Sequence, residues 1–138
     1  MNFDWDGFKN WNISNATTLE ELFYTNTSNL TTPLSIDLDL SYWDFRKVTN
    51  CREITHFSPS ISQYETGGSW DIKVYLPPTF YRVYRYTNSS LGEKYKWIGV
   101  QMNADGTGIK TDEFILFYVY GSVTITHTDD YWLIRSYS

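Results

Sequence analysis

The sequence predicts an all-β fold: an antiparallel two-sheet sandwich of jelly-roll type, with one short helix near residues 17–23. Two patterns lead to this prediction. Several short segments alternate apolar and polar residues and are separated by turn signals, as strands with one wet face are. Residues 114–120 form a run of seven apolar or aromatic residues that ends at Gly121, which is typical of a central strand covered on both faces. A closed barrel is the alternative architecture.

The first part of the chain differs from the rest in composition. Residues 1–33 are rich in Asn, Ser and Thr and are expected to form an irregular N-terminal arm, whereas residues 34–138 are expected to form the sandwich, within a single folded unit. The helix is predicted at 17–23 because threonine followed by glutamate two to four residues later is typical of a helix N-terminus. We expect Trp5 and Trp11 to anchor the arm onto this domain or onto a neighbouring copy.

The strands follow from alternation and from turn residues. The predicted strands are 34–40, 52–57, 70–76, 80–86, 94–102, 114–120, 122–127 and 131–137, with 42–48 either continuing the first strand or forming another. Pro77 and Pro78 must end the strand before them, because proline cannot donate a ladder hydrogen bond. Residues 103–108 hold the strongest turn signal, since Asp-Gly and a second glycine adopt positive φ cheaply.

Charge and cysteine content exclude several classes of protein. The net charge is −5 and the 11 Lys and Arg residues are scattered, which argues against a nucleic-acid partner. The chain as given has no signal peptide and no apolar stretch of membrane-spanning length, so it is expected to be soluble. Cys51 is the single cysteine, and we expect a buried free thiol there.

The sequence offers little for catalysis. His56 and His127 are the two histidines, and neither lies in a known catalytic signature. Asp37 and Asp39 lie on one face of a predicted strand, where two exposed carboxylates mainly increase solubility. No segment has the acidic ligand series of a calcium loop. We therefore predict that the chain is not an enzyme and needs no metal or cofactor.

The unusual feature is the aromatic content. The chain has 12 Tyr, 8 Phe and 6 Trp, 19% of its residues, and Tyr and Trp suit interfaces and ligand platforms. The predicted contact surface consists of Tyr81, Arg82, Tyr84, Arg85 and Tyr86. Alternation puts Arg82, Tyr84 and Tyr86 on one face with Phe80, as a stacking platform with a guanidinium group. Alternatively, these tyrosines pack across strands with the arginines lying over them.

Two non-catalytic functions fit the aromatic surplus. In the first, which we favour, the chain is a structural or adhesion module of a homo-oligomer, preferably a trimer, with Trp5 and Trp11 buried against neighbouring copies and other proteins. In composition the chain resembles accessory proteins of bacteriophage particles, such as head-fibre, capsid-decoration or tail receptor-binding modules. That resemblance implies a location on a virion or extracellular particle. In the second, the chain is a carbohydrate-binding module for cell-surface glycans, with Tyr and Trp stacking on sugar rings and Arg fixing hydroxyls.

Overall fold

The fold is all-β, as predicted. A computed structural model describes residues 6–23, 34–55, 70–87, 95–120 and 122–137. Its strands are β1 (Leu34–Asp39), β2 (Trp70–Leu76), β3 (Arg82–Thr87), β4 (Tyr95–Gln101), β5 (Ile115–Tyr120), β6 (Val123–His127) and β7 (Trp132–Tyr137). The helical elements among the described residues are two single 3₁₀ turns, Asp6–Phe8 and Asp112–Phe114.

The strands form two sheets. One sheet has four strands in the order β1-β2-β7-β6, and the other has three in the order β3-β4-β5. The prediction that all strands are antiparallel is wrong for β1 and β2, which run parallel with Leu38 beside Val74. The predicted alternation is nevertheless confirmed in β1, because Ile36 and Leu38 are buried and Ser35 and Asp37 are exposed.

Residues 115–120 of the apolar run form β5, but β5 is not the central strand of its sheet. Ile115, Leu116 and Phe117 are buried in succession, so both faces are covered as the sequence predicts. The strand order places β4 in the centre and β5 at the edge. The outer edge of β5 is covered by another segment, since Cys51 N–H donates to the carbonyl of Glu113 (2.7 Å) and the next bonds follow at residues 115 and 116.

The predicted helix at residues 17–23 does not form. The backbone N–H groups there donate to a neighbouring segment: Leu19 to Asn50 (2.7 Å), Glu21 to Arg52 (3.1 Å) and Phe23 to Ile54 (2.8 Å). Donors at every second residue are typical of an extended chain, and Glu21 has a left-handed φ of 55°, which no helix accommodates. The strands predicted at 42–48 and 52–57 are turns and bends where they are described, and residues 56 and 57 lie outside the described ranges.

Residues 8–23 and 40–55 share one backbone course, displaced by 32 residues along the chain. Three backbone N–H to carbonyl turn bonds recur in the two coils. Trp11 donates to Phe8 as Trp43 donates to Leu40 (both 3.1 Å), and Ala16 donates to Ile13 (2.8 Å) as Val48 donates to Phe45 (3.0 Å). Leu22 donates to Leu19 as Ile54 donates to Cys51 (both 3.2 Å). The φ of 55° at Glu21 recurs as 49° at Glu53. Thr17 and Thr49 occupy equivalent positions, and the Thr49 hydroxyl donates to the backbone carbonyl of Thr17. We name residues 8–23 the first coil and residues 40–55 the second coil.

The two coils stack on each other. The Trp11 and Trp43 rings are nearly parallel, at 8°, with centroids 6.3 Å apart. The backbone bonds from residues 19–23 to residues 50–54 join the coils, and the second coil in turn donates to residues 113–116. Stacking of equivalent units through nearest-neighbour contacts is the organising principle of repeat proteins.

Cys51 lies inside this stack and should be chemically inert in the native state. Its side chain is fully buried, and burial raises the pKa of the thiol from 9.0 to about 12. Because the thiolate is the reactive form, we expect iodoacetamide at pH 8 to label Cys51 at least a hundredfold more slowly than in the chain unfolded in urea, as followed by intact mass. Equal rates in the two states would show that the second coil opens readily.

Candidate functional site

The structure divides the predicted contact surface between different environments. Tyr81 is exposed at the start of β3, and Arg82 lies over the Tyr84 ring with its Cζ 5.3 Å from the centroid. Tyr84 and Tyr86 stack at 6.2 Å on that same face. Arg85 points to the other face, where its Nη1 donates to the carbonyl of Val123. Phe80, expected beside Tyr84, instead packs in the core, and Trp5 lies outside the described residues.

Tyr84 belongs to a row of rings that cross the three-stranded sheet. The row continues through Tyr86, Trp97 and Tyr118, with centroid separations of 5.4 and 5.3 Å. Tyr84 itself is buried against Gly99, and its hydroxyl bonds to the loop after β4, donating to Gly108 O (3.3 Å). This geometry is that of cross-strand packing, so Tyr84 is tied into the fold rather than free to bind a ligand.

Tyr118 connects this row to the second coil. Burial, the nearby Glu53 carboxylate and a hydrogen bond to it raise the pKa of the Tyr118 phenol to about 12. Glu53 is itself buried and lies 3.6 Å from Arg52. The phenol therefore stays protonated throughout the physiological range and acts as a structural donor.

A cleft of about 670 Å³ lies beside the second coil, a volume in the usual range for small-molecule sites. Its walls come from the second coil, from the loop between β2 and β3, and from the loop after β4. The lining residues are Ser41, Tyr42, Trp43, Asp44, Phe45, Arg46, Val48, Pro77, Pro78, Thr79, Phe80, Met102, Asn103 and Thr107. Apolar side chains thus alternate with hydroxyl, amide and charged groups around one concave surface.

The charged pair in the cleft is a two-pronged ion pair. The Arg46 guanidinium donates through Nε (2.9 Å) and Nη2 (2.7 Å) to the two carboxylate oxygens of Asp44. These bonds, together with the Arg46 backbone N–H, lower the pKa of Asp44 to about 2. The pair therefore carries no net charge at physiological pH. Beside it, Tyr42 is 79% exposed, the most exposed large apolar residue among those described.

The outer side of the first coil forms a second candidate surface, which we name the open end. Trp11 is 48% exposed, whereas its equivalent Trp43 is 3% exposed. Leu22 is 41% exposed, whereas its equivalent Ile54 is 1% exposed. The backbone carbonyls of residues 18, 20 and 22 receive no backbone N–H within the described ranges, although those of residues 50, 52 and 54 do. The first coil thus exposes the surface that the second coil buries.

His127, the histidine among the described residues, is held by contacts within the fold. The His127 ring stacks on Trp132 at 3.9 Å and 4°, and its Nε2 lies 3.3 Å from the carbonyl oxygen of Pro78. The Trp132 indole N–H donates to the carbonyl of Phe80 (3.2 Å). These contacts fasten β6 and β7 to the loop that forms one wall of the cleft.

Comparisons with known proteins identify no relative. No protein-family model matches the chain, and no curated protein or solved structure matches it. Within the described ranges, no three His, Cys, Asp or Glu side chains are grouped so as to hold a metal ion. The same ranges contain no helix that is both long and apolar enough to cross a membrane.

Proposed function

We propose that the chain is a non-catalytic structural or adhesion module of a homo-oligomeric assembly. The observation that supports this proposal most directly is the open end. Trp11 and Leu22 leave uncovered an apolar surface of the kind that the second coil buries against the first. Covering apolar surface contributes roughly 25 cal/mol per Å² removed from water, so contact with a neighbouring copy is favourable there.

The stacking of the coils indicates what such a neighbour must supply. The first coil contacts the second through apolar side chains and through backbone N–H groups that donate to carbonyls of the second coil. The open end presents equivalent apolar side chains and equivalent carbonyls. In the proposed assembly, a neighbouring copy covers Trp11 and Leu22. A trimer remains the favoured stoichiometry.

A finer form of the proposal assigns the assembly to a virion. Its support is the compositional resemblance to phage head-fibre, capsid-decoration and tail receptor-binding proteins. A jelly-roll arrangement of the two sheets, an architecture that viral capsid domains often adopt, belongs to the same proposal. Both features stay predictions, and so does the virion or particle surface as location.

The assembly proposal is tested by measuring molar mass in solution. We expect light scattering after size exclusion to give the mass of an oligomer for the full chain and of a monomer for Leu22→Asp, because a charge at the open end prevents its burial. Ile109→Asp is the matched control, since Ile109 is 44% exposed and lies in the loop after β4. A monomer for the unchanged protein over the accessible concentration range contradicts the proposal, as does equal dissociation of both variants.

A further inference from the structure

Equivalent positions of the two coils can be compared, because both coils have the same turns. A residue of one coil that is replaced by a different type in the other is not required for the backbone of the coil. At three positions that line the cleft in the second coil, Tyr42, Asp44 and Arg46, the first coil has Asn10, Asn12 and Ser14. The backbone is the same in both. Asn12 Oδ1 accepts the N–H of Ser14 (3.1 Å) as Asp44 Oδ1 accepts that of Arg46 (3.0 Å). An asparagine therefore satisfies the turn, and the charged pair is not required for it.

The same comparison applies to the tyrosine. Tyr42 is almost fully exposed and occupies a position where the first coil has Asn10, so packing of the coil does not explain a large ring there. An exposed phenol beside a concave surface offers a flat apolar face with a polar tip. Three of the residues in which the second coil departs from the first thus line the cleft together.

The cleft also holds polar side chains with unused hydrogen-bonding capacity. Asn103 and Thr79 line it, and within the described ranges neither side chain makes a hydrogen bond. An amide and a hydroxyl can each donate and accept. Ligand hydroxyls have the same double capacity, and they complement such groups better than a purely accepting or purely donating ligand would.

Charge narrows the class of ligand. Asp44 and Arg46 neutralise each other, and the protein as a whole has a net charge of −5. Neither feature attracts an anionic ligand such as a phosphate. Phe80 and Met102 supply an apolar surface inside the cleft, so the ligand must combine an apolar face with a hydroxylated rim. A pyranose ring has both, because its C–H groups lie on its faces and its hydroxyls at its edge.

From these observations we propose that the cleft binds a neutral saccharide of one or two pyranose rings. One sugar face lies against Tyr42, and its hydroxyls bond to Asn103 and Thr79. A volume of about 670 Å³ accommodates a ligand of this size. The site is independent of the open end, and binding here requires no assembly.

The test is an NMR titration of the full-length ¹⁵N-labelled protein. The probes are the methyl glycosides of glucose, galactose, mannose and N-acetylglucosamine, followed by maltose, cellobiose and lactose. We expect at least one probe to shift the Trp43 indole N–H and the Asn103 side-chain amide saturably. Tyr42→Ala should weaken that binding at least tenfold, and Asn103→Ala at least threefold. Tyr137→Ala, an exposed tyrosine that does not line the cleft, should leave it unchanged.

Three results would overturn the proposal. The first is that no probe produces saturable shifts, and the second is that the shifts map outside the cleft or survive Tyr42→Ala. The third comes from parallel titrations with methyl glucuronide and glucose 6-sulfate. Exclusive binding of these acidic sugars, weakened by salt and by Arg46→Gln, would show that the cleft is an anion site. Light scattering on the same samples keeps this outcome separate from that of the assembly proposal.

Discussion

Replacing Trp43 by alanine is expected to lower the free energy of unfolding by about 3–5 kcal/mol, the range for a fully buried large aromatic side chain. The Trp43 ring packs against Phe23 (5.8 Å) and Phe45 (6.2 Å), and its indole N–H donates to the carbonyl of Phe8 at 2.8 Å. Alanine removes this packing and one of the hydrogen bonds that the Phe8 carbonyl accepts, while the bond from the Trp11 N–H stays. Urea denaturation followed by circular dichroism measures the change.

The matched control is the equivalent substitution in the first coil. Trp11→Ala removes the same side chain from a half-exposed position, and we expect a loss of about 1 kcal/mol. Losses of equal size at Trp11 and Trp43 would contradict the stacking order described here, in which the first coil covers the second.

Substitution of Gly108 by alanine should destabilise the protein by about 3 kcal/mol. Gly108 has a φ of +87°, where an alanine is strained, and a Cβ there would lie 2.9 Å from the carbonyl oxygen of Val100 and 3.0 Å from the amide nitrogen of Met102. Both obstacles are backbone atoms, one in the last residues of β4 and one in the residue that follows it, so relief requires the loop to move away from the strand. The loss adds overpacking to the strain of the left-handed conformation.

The substitution Gly106→Ala distinguishes the strain of a positive φ from the overpacking against β4. It also has a positive φ, +97°, but a Cβ there meets only the Ile109 side-chain tip, at 3.4 Å. Gly106→Ala should therefore cost about 1 kcal/mol, the cost of the backbone conformation alone. Thermal unfolding of both variants provides the comparison, and a loss at Gly106→Ala as large as that at Gly108→Ala would argue against the close approach of the loop to β4.

The strands that the sequence predicts best are those whose pattern depends on burial alone. In β1 and β2, alternate apolar residues face the core, and period-two alternation carries that information directly. The apolar run 114–120 likewise predicts a strand covered on both faces. Its place at the edge of its sheet could not be predicted, because the segment that covers it, residues 51–55, lies far away in the sequence.

The prediction at residues 17–23 failed because a helix N-terminus signal is local. Thr18 does accept the N–H of Glu20 through its hydroxyl (3.4 Å), as a capping residue would. The N–H groups of Glu21 and Phe23 bond to carbonyls of the second coil instead of to carbonyls of their own turn, and a local sequence pattern carries no information about that partner. Tertiary pairing thus overrides the local preference.

The internal repeat was present in the sequence as a weak signal. Three residue types recur at the same offset of 32: Trp11 and Trp43, Thr17 and Thr49, Glu21 and Glu53. Some of the remaining positions conserve apolar character or a short acceptor side chain and others, such as Asn10 and Tyr42, conserve neither, so the match is easily overlooked.

The two candidate surfaces differ in how far the sequence could predict them. Trp11, which the sequence predicts as an oligomer contact, is exposed at the open end together with Leu22, and the contact itself stays a prediction. The cleft could not be predicted, because its walls come from residues 41–48, 77–80 and 102–107, which only the fold brings together. The aromatic content of the sequence favoured β3 instead, where the Tyr84 hydroxyl is hydrogen-bonded to the loop after β4.

The stack of coils has a direction. The outer side of the second coil is covered, since N–H groups of residues 51–55 already bond to carbonyls of residues 113–116. The open end, on the first coil, presents a surface equivalent to the one by which the second coil contacts the first. A further coil that stacked on the first would therefore lengthen the column while contacting only the first coil. The architecture can grow by gene duplication from one end alone, with the C-terminal strands serving as a fixed base.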